Sequence, residues 1–216
     1  MEITYLGHSC FRVKEKKVTV VTDPFLPSMV GFPLPKISAD IVTVSHQHPD
    51  HNNVSFVEGE PFVISDPGEY EVKGISVFGY PTYHDSKSGS IRGTNTIYLI
   101  ESEDLRICHL GDLGGTIPAK IIEELGEIDM LMVPVGGVYT LGPKEAVELI
   151  GQLEPKIVLP MHFKEAGINE ENFGKLATVE DFVREFGKEP ERQEKLTVNK
   201  GNLPQETKLV ILSRKS

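Results

Sequence analysis

The sequence predicts a layered fold of the α/β or α+β class. Short β-branched or apolar runs occupy the first 110 residues, whereas strand-like and helix-like segments alternate in the second half. The composition, 39% hydrophobic and 25% charged, is ordinary for a globular protein and excludes collagen-like or wholly disordered chains. Because helices and sheets each have an apolar face to bury, helices that cover sheets are the expected arrangement.

Strands are predicted where short apolar runs are bounded by Gly, Lys, Pro or polar turns. The predicted strands are Ile3–Leu6, Cys10–Val13, Val18–Thr22, Ile41–Ser45, Phe62–Ser65, Ile75–Gly79, Asn95–Ile100, Leu105–Leu110, Met130–Val135, Ile157–Met161 and Leu209–Leu212. Helices are predicted at Pro118–Leu125 and Pro143–Leu153, which have Pro in the first turn, and from Thr178 with Asp181 to Phe186. The Pro-rich segment Pro24–Ile37 is expected to be a loop.

Charge and cysteine content narrow the classes of function. The formal net charge of −10 is unfavourable for a nucleic-acid partner, because phosphate binding usually requires a basic face. Cys10 and Cys108 lie in apolar stretches and are expected to be buried free thiols, so a cytoplasmic location is expected. No apolar run reaches ~18 residues and the first ten residues lack a basic start, so neither a membrane span nor a signal peptide is expected.

No Pro/Gly/Ser-rich linker, low-complexity tract or short repeat divides the chain. A single domain over residues 1–216 is therefore expected. The sequence leaves the oligomeric state open.

Three histidines and an acid crowd into six residues after the predicted strand Ile41–Ser45. The segment reads His46-Gln47-His48-Pro49-Asp50-His51. These side chains contribute nothing to a core, whereas neutral imidazoles and carboxylates are good zinc ligands. In an extended segment His46 and His48 point the same way, and the turn at Pro49 can direct Asp50 and His51 to a second point. The cluster predicts a metal site in which one segment serves two ions.

His84, Asp112 and His162 each follow the end of another predicted strand. In layered α/β proteins, that edge of a sheet is where sites are built. A single histidine at such a position usually forms a local hydrogen bond or faces solvent. Three such residues together with the histidine cluster instead predict that they share one metal centre.

These residues resemble the signature of the metallo-β-lactamase superfamily. The motif His46-x-His48-x-Asp50-His51, the later order His84, Asp112, His162, and a structural acid at Asp23 are all similar to its motifs. The stretches Tyr5-Leu6-Gly7-His8-Ser9-Cys10-Phe11 and Gly93-Thr94-Asn95-Thr96 resemble one branch, which contains short stand-alone metal-dependent hydrolases related to the ascorbate-phosphate lactonases. The resemblance extends from residue 2 to about residue 212.

The resemblance implies a four-layer αβ/βα sandwich with two divalent metal ions at one edge of its paired sheets. By position, His46, His48 and His84 would hold the first ion. Asp50, His51 and His162 would hold the second, and Asp112 would bridge the two. Zinc is favoured over manganese by the Irving–Williams order, with manganese or iron as alternatives.

The expected chemistry follows from a water shared by the two ions. Ions ~3.5–4 Å apart lower the pKa of such a water towards ~7, which gives hydroxide at neutral pH. Asp50 is the predicted catalytic residue, as the orienter of that hydroxide or as a base.

Five residues are candidates for supporting roles: His8, Asp23, Asn95, His109 and Arg92. Both His8 and His109 remain open between a hydrogen bond to a ligand and a structural role, and the match of His8 to the branch motif favours the substrate side. Asn is disfavoured within strands, so Asn95 is expected to form a hydrogen bond near the site. In the loop Asp85–Arg92, Arg92 rather than Lys87 is expected to meet a carboxylate or phosphate.

The predicted function is metal-dependent hydrolysis of a small ester, lactone or phosphoester. The segment Pro24–Ile37 is expected either to be a packed surface loop or to form an apolar wall over the metals, and prolines would preform such a wall. The residues expected in the wall are Phe25, Leu26, Met29, Val30 and Phe32. A wall of this kind favours a small organic substrate over a polymer.

Three alternatives remain. A phosphodiesterase or nuclease acting on RNA or nucleotides conflicts with the acidic charge and with the lack of room for an added clamp domain. An iron-dependent oxidoreductase is the second, although the flavin domain that the diiron oxygen reductases need is not expected within these 216 residues. A metal-binding scaffold without turnover is the third, but the complete ligand set argues against it.

Overall fold

The computed structural model describes residues 1–102 and 104–215. Its strands are β1 (Glu2–Gly7), β2 (Cys10–Glu15), β3 (Val18–Thr22), β4 (Ile37–Ser38), β5 (Ile41–Thr43), β6 (Val57–Glu58), β7 (Phe62–Ile64), β8 (Gly68–Val72), β9 (Ile75–Tyr83), β10 (Thr94–Ser102), β11 (Leu105–His109), β12 (Met130–Pro134), β13 (Ile157–Met161), β14 (Glu191–Gln193), β15 (Leu196–Thr197) and β16 (Lys208–Leu212). Its α-helices are α1 (Pro27–Val30), α2 (Ala119–Leu125), α3 (Pro143–Leu153), α4 (Glu170–Phe173) and α5 (Val179–Phe186).

Most of the strands form two mixed sheets. The six-stranded sheet has the order β15-β1-β2-β3-β5-β7, and the eight-stranded sheet has the order β14-β16-β13-β12-β11-β10-β9-β8. In the first sheet, β1, β3 and β5 run in one direction, because β2 is antiparallel to β1 and β3 and β5 is parallel to β3. In the second sheet, β9, β11, β12 and β13 likewise share a direction. Each sheet therefore collects several carboxyl strand ends at one edge.

The two sheets pack face to face between helices. Alternating side chains of the six-stranded sheet point to opposite faces: Val20 and Ile41 join the cluster that includes the second sheet, whereas Val21 and Val42 join an outer cluster. The outer cluster also contains Val30 of α1 and Phe173 of α4. Buried residues of α2, α3 and α5 pack with the eight-stranded sheet. The layered α/β prediction is confirmed in this four-layer form.

Every predicted strand and helix is present. Val18–Thr22, Ile157–Met161 and Pro143–Leu153 have the predicted bounds, and the other elements are shifted at one or both ends. The strand predicted at Ile41–Ser45 ends at Thr43. The histidine-rich segment 45–51 therefore bends away from the sheet instead of continuing as an extended strand. The elements that sequence patterns missed are β4, β6, β8, β14, β15, α1 and α4. All seven span two to five residues. Apart from β8, which forms a hairpin with β9, they pair or pack with more distant segments, which periodicity cannot reveal.

Cys10 and Cys108 are both free and buried, as expected. Among the helices that the structure describes, none combines the length and apolar character that a membrane crossing needs.

Candidate metal centre

The candidate site residues meet because each lies at or beyond a strand end on the same edge of the sandwich. In the six-stranded sheet, His8 follows β1, Asp23 follows β3, and the segment 45–51 follows β5. In the eight-stranded sheet, His84 follows β9, Asp112 follows β11 and His162 follows β13. Since the strands within each set run in one direction, their carboxyl ends form two facing rims, and the polar side chains converge between them.

One group of donor atoms consists of three imidazoles. Ligand atoms of His46, His48 and His84 lie within 4.8 Å of one another. The ring centroids of His46 are 4.6 Å from those of both His48 and His84. Three neutral imidazoles of this kind form an open site that leaves one position for a further ligand.

A second group combines imidazoles with a carboxylate. Ligand atoms of Asp50, His51, His162 and His8 lie within 4.8 Å of one another. The segment 45–51 thus contributes to both groups. It does so through a bend and a turn, rather than through the extended alternation that the sequence suggested.

Asp112 lies between the two groups. Its Oδ2 is 3.3 Å from Nε2 of His84 in the first group, and 3.2 Å and 3.1 Å from Nε2 of His51 and His162 in the second. A carboxylate at this position can face two ions at once.

Asp23 orients two of the imidazoles. His51 Nδ1 donates to Asp23 Oδ2 at 2.9 Å. Ser45 Oγ donates to the same oxygen at 2.6 Å and therefore accepts from His46 Nδ1 at 2.9 Å. Both imidazoles consequently direct Nε2 at the cluster, which is the arrangement that carboxylate-supported histidine ligands adopt in metal sites.

Asn95 holds the backbone that carries Asp112. Its side-chain oxygen accepts from the Asp112 N–H at 2.9 Å, while its amide nitrogen donates to Thr82 Oγ1 at 2.8 Å and to the Leu110 carbonyl at 3.0 Å. Gly111 has φ +56°, and a Cβ there would collide with Asn95 Oδ1 and Ser45. The turn therefore requires Gly at this position.

The donor set fits a cation. In the described part of the chain, His46 Nε2, His51 Nε2, Asp50 Oδ1 and Asp112 Oδ1 are buried and have no hydrogen-bond partner. Buried polar atoms without partners are costly and rare. Imidazole nitrogens and carboxylate oxygens that converge in this way form a donor set that a bound cation would satisfy, and their mixture suits zinc or a similar divalent metal.

The electrostatics of the cluster favour the metal-binding protonation state for His46 and for the two carboxylates. For His51, burial is outweighed by Asp112 and Asp50, which raise the pKa of this imidazole well above its usual value until a metal replaces the proton. Burial, together with the neighbouring His51, lowers the pKa of His46 to about 2. Burial alone would raise the pKa of Asp112, but His162 and His51 outweigh it and hold that pKa well below its usual value. Burial would likewise raise the pKa of Asp50, but the neighbouring His51 outweighs burial and holds that pKa below its usual value. His46 is thus neutral and both carboxylates are ionised at neutral pH.

A cleft of about 370 Å³ opens onto these groups. The residues that line it are Met29, His48, Pro49, Asp50, His84, Arg92, Asp112, Tyr139, His162, Glu171, Asn172 and Phe173. The guanidinium of Arg92 lies 5.3 Å from the ring centroid of Tyr139, so the predicted cation reaches the cleft.

Of the two alternatives for Pro24–Ile37, the structure agrees with the packed segment, and the apolar wall over the metals is largely wrong. Of its members only Met29 lines the cleft, because Phe25, Val30 and Phe32 are buried in the outer core cluster and Leu26 points to solvent. The physical reason is that α1 packs against the outer face of the six-stranded sheet, so the apolar side chains of this segment are buried there.

Sequence patterns missed the actual wall. Tyr139 comes from the loop before α3, and Phe173 comes from α4. Tyr139 O–H donates to the Asn172 carbonyl at 2.8 Å, and Asn172 Nδ2 donates to the Met29 carbonyl at 3.1 Å. No local signal marks these residues, since only tertiary contacts bring them to the cleft.

His109 does not touch the candidate ligands through its side chain. Gly111 N–H donates to its Nδ1 at 3.1 Å, and its Nε2 donates to the Ser9 carbonyl at 2.9 Å. Both ring nitrogens are therefore used by the backbone. His8, in contrast, has its Nε2 at 3.2 Å from Asp50 Oδ2 and does not line the cleft, which contradicts the expected substrate-side role.

Comparison with known proteins identifies the family. A family model described as a Beta-lactamase superfamily domain matches residues 2–162. A UPF0173 metal-dependent hydrolase from Methanopyrus kandleri is 30% identical over 194 residues, which cover 76% of this chain and 84% of that protein. The chain belongs to the UPF0173 metal-dependent hydrolases of the beta-lactamase superfamily. The resemblance drawn from the histidine motif is thereby confirmed.

Solved structures agree with this membership. A crystal structure of a metallo-beta-lactamase superfamily protein from Thermotoga maritima is 40% identical, with a TM-score of 0.80 and coverage of 98% of this chain and 97% of that one. Igni18, a metallo hydrolase from Ignicoccus hospitalis, is 20% identical with a TM-score of 0.68 and coverage of 100% and 96%. At that identity the second similarity shows the fold alone.

The different surroundings of His84 and His109 lead to a prediction about metal content. His84→Ala removes a donor from the three-imidazole group and should lose metal, whereas His109→Ala removes only backbone hydrogen bonds and should keep most of it. Elemental analysis of both purified variants beside the unaltered protein measures this. Equal metal loss in the two variants would contradict the assignment of His84.

Proposed function

We propose that this metal-dependent hydrolase binds two divalent ions, with zinc the favoured metal, and cleaves a small anionic ester, lactone or phosphoester. The observation that carries the proposal is the position of Asp112, whose Oδ2 lies within 3.3 Å of nitrogens from both donor groups. A single ion held by either group would leave unpartnered atoms of the other unsatisfied. A single ion held by the third possible set, His46, His51 and Asp112, would leave Asp50 Oδ1 without a partner.

In this proposal each donor group holds one ion. His46, His48 and His84 would hold the first, Asp50, His51 and His162 would hold the second, and Asp112, which lies close to both groups, would be shared between them. Ions bound in this way supply Lewis acidity and a water whose pKa is lowered towards ~7.

The chain's own groups provide the rest of the catalysis. Asp50 belongs to the second donor group and also lines the cleft, so its carboxylate can orient a water or accept a proton next to a bound substrate. Its lowered pKa keeps it ionised for that role. Arg92 can bind an anionic group of the substrate, and the ring of Tyr139 restricts the orientation of its guanidinium.

The cleft supports a small substrate. A volume of about 370 Å³ accommodates a small organic molecule, within the usual range for ligand pockets. Met29 and Phe173 add apolar surface for its carbon skeleton, while Arg92 adds positive charge to a chain of net charge −10. A long polyanion would meet an acidic protein beyond this one cleft, which disfavours the nuclease alternative.

The proposal predicts two metal ions per chain. After purification with excess zinc and removal of the free metal, elemental analysis should give close to two equivalents of zinc, because each donor group is complete in the fold. The same measurement on untreated protein identifies manganese or iron if either is the resident metal. Less than one ion per chain in the zinc-treated protein would refute the two-ion site.

A second prediction concerns catalysis by Asp50. Asp50→Asn should lower the turnover of a p-nitrophenyl ester or of bis-p-nitrophenyl phosphate by about 10²–10⁴-fold, because the amide cannot accept a proton. Gln47→Ala, an exposed change in the same segment, is the matched control and should leave turnover close to normal. Near-normal activity in Asp50→Asn on a substrate that the protein cleaves would be incompatible with the assigned role.

A third prediction concerns the anionic part of the substrate. Arg92→Ala should raise KM for an anionic ester much more than for its neutral analogue, because only the anionic form loses an ionic partner. Lys87→Ala is the control, since Lys87 is exposed in the same loop and does not line the cleft. If Arg92→Ala changes both KM values equally, or if a long oligonucleotide is cleaved faster than any small ester, the substrate class is wrong.

A further inference from the structure

His8 is a fully buried histidine that lies behind the cleft rather than in it. Its side chain has no exposed surface, and it is not among the residues that line the cleft. Its ring centroid is 4.2 Å from that of His162 and 5.0 Å from that of His51, and its Nε2 is 3.2 Å from Asp50 Oδ2. His8, the first residue after β1, therefore lies next to all three side chains assigned to the second ion.

The backbone of His8 is held in place from several sides. Its carbonyl accepts from the His162 N–H at 2.8 Å and from Tyr5 O–H at 3.1 Å, and its N–H donates to Glu165 Oε1 at 3.3 Å. Tyr5 O–H also contacts the same Glu165 oxygen. His8 has φ +56°, a left-handed conformation that a non-glycine residue adopts only when its surroundings enforce it. The imidazole therefore has a defined position relative to its neighbours.

The hydrogen bond to Asp50 fixes which nitrogen of His8 carries the proton. An ionised carboxylate only accepts, so Nε2 must donate. The opposite tautomer would also leave a buried Nδ1–H without an acceptor, because Nδ1 has no partner in the described chain. His51 differs, because its Nδ1 is bonded to Asp23 Oδ2 and its Nε2, 3.2 Å from Asp112 Oδ2, is the nitrogen that faces the cluster. A nitrogen that carries a proton cannot coordinate a metal, so His8 is not a ligand through Nε2.

We propose that His8 is a positioning residue, whose Nε2–H fixes the Asp50 carboxylate in the orientation that the second ion requires. This inference rests on the proposed assignment of Asp50, His51 and His162 to that ion. It explains why a polar side chain is buried behind the ligands, and it gives the histidine of the Gly7-His8-Ser9 stretch a role separate from substrate contact.

The test is a zinc titration of the metal-free protein, with calorimetry resolving the two binding steps. His8→Leu keeps apolar volume but removes the donor, whereas His8→Gln places an amide N–H at a similar reach. The first ion should bind normally in both variants. The second should bind about 10–100-fold more weakly in His8→Leu, the usual effect of losing a hydrogen bond to a ligand, and should recover in His8→Gln.

A matched control separates positioning from general damage to the core. His109→Leu removes another fully buried histidine, which bonds to the Ser9 and Gly111 backbone and not to Asp50, and it should weaken the second ion much less than His8→Leu does. Unchanged affinity for the second ion in His8→Leu would overturn the inference. So would equal weakening in His8→Leu, His8→Gln and His109→Leu, since that pattern indicates only a structural role.

Two further measurements complete the test. Asp50→Ala should lose the second ion; if it binds two ions normally, the failure lies in the proposed ligand set and not in His8 alone. Independently of any variant, long-range ¹H–¹⁵N spectra of the zinc-loaded protein should show His8 with its proton on Nε2. An Nε2 of His8 without a proton would overturn the inference even if the variants fail to fold.

Discussion

The contact of one buried carboxylate oxygen with three imidazoles is the interaction on which the rest of the site depends. Asp112 Oδ2 lies 3.1–3.3 Å from Nε2 of His51, His84 and His162. Burying a carboxylate away from water is expensive unless opposite charge or hydrogen bonds compensate. Here the surrounding imidazoles supply that compensation, and their effect on the pKa of Asp112 outweighs that of burial. The members of the cluster are therefore electrostatically coupled, and each affects the charge state of the others.

The fold satisfies this constraint by using strand ends from both sheets. Side chains that follow β1, β3 and β5 face side chains that follow β9, β11 and β13 across the edge of the sandwich. Large apolar contacts between the sheets fix the distance between these rims, so the candidate ligands do not depend on flexible loops for their spacing. Hydrogen bonds then set the finer orientation: Asp23 directs His46 and His51, and Asn95 holds the turn at Asp112.

Buried histidines serve different purposes in this molecule, and their hydrogen bonds distinguish them. His109 gives both ring nitrogens to the backbone and connects β11 to the strand turn at Ser9. His46 and His51 each use Nδ1 for a hydrogen bond and direct Nε2 at the cluster. His8 instead directs its Nε2 at a carboxylate of the cluster. All of these histidines are buried, so the hydrogen-bond partner of each ring nitrogen is what distinguishes them. That partner shows whether a histidine bonds to the backbone, orients a carboxylate or directs a nitrogen at the cluster.

The sequence by itself determined the strands and helices that have strong apolar patterns, and it determined the superfamily. It also determined the residues of the donor groups, because histidines and aspartates concentrated at strand ends contribute little to a core. It could not determine α1, α4 or the short edge strands, which exist only through contacts with distant segments. It also misjudged Phe25, Val30 and Phe32, because an apolar residue in a Pro-rich segment looks the same whether it covers a core or lines a cleft. Only the tertiary structure placed Tyr139 and Phe173 beside Arg92, and only it separated His8 from His109. The hydrogen-bond partners of a buried polar group come from residues far away in sequence, so its role is decided by the folded arrangement and not by its local pattern.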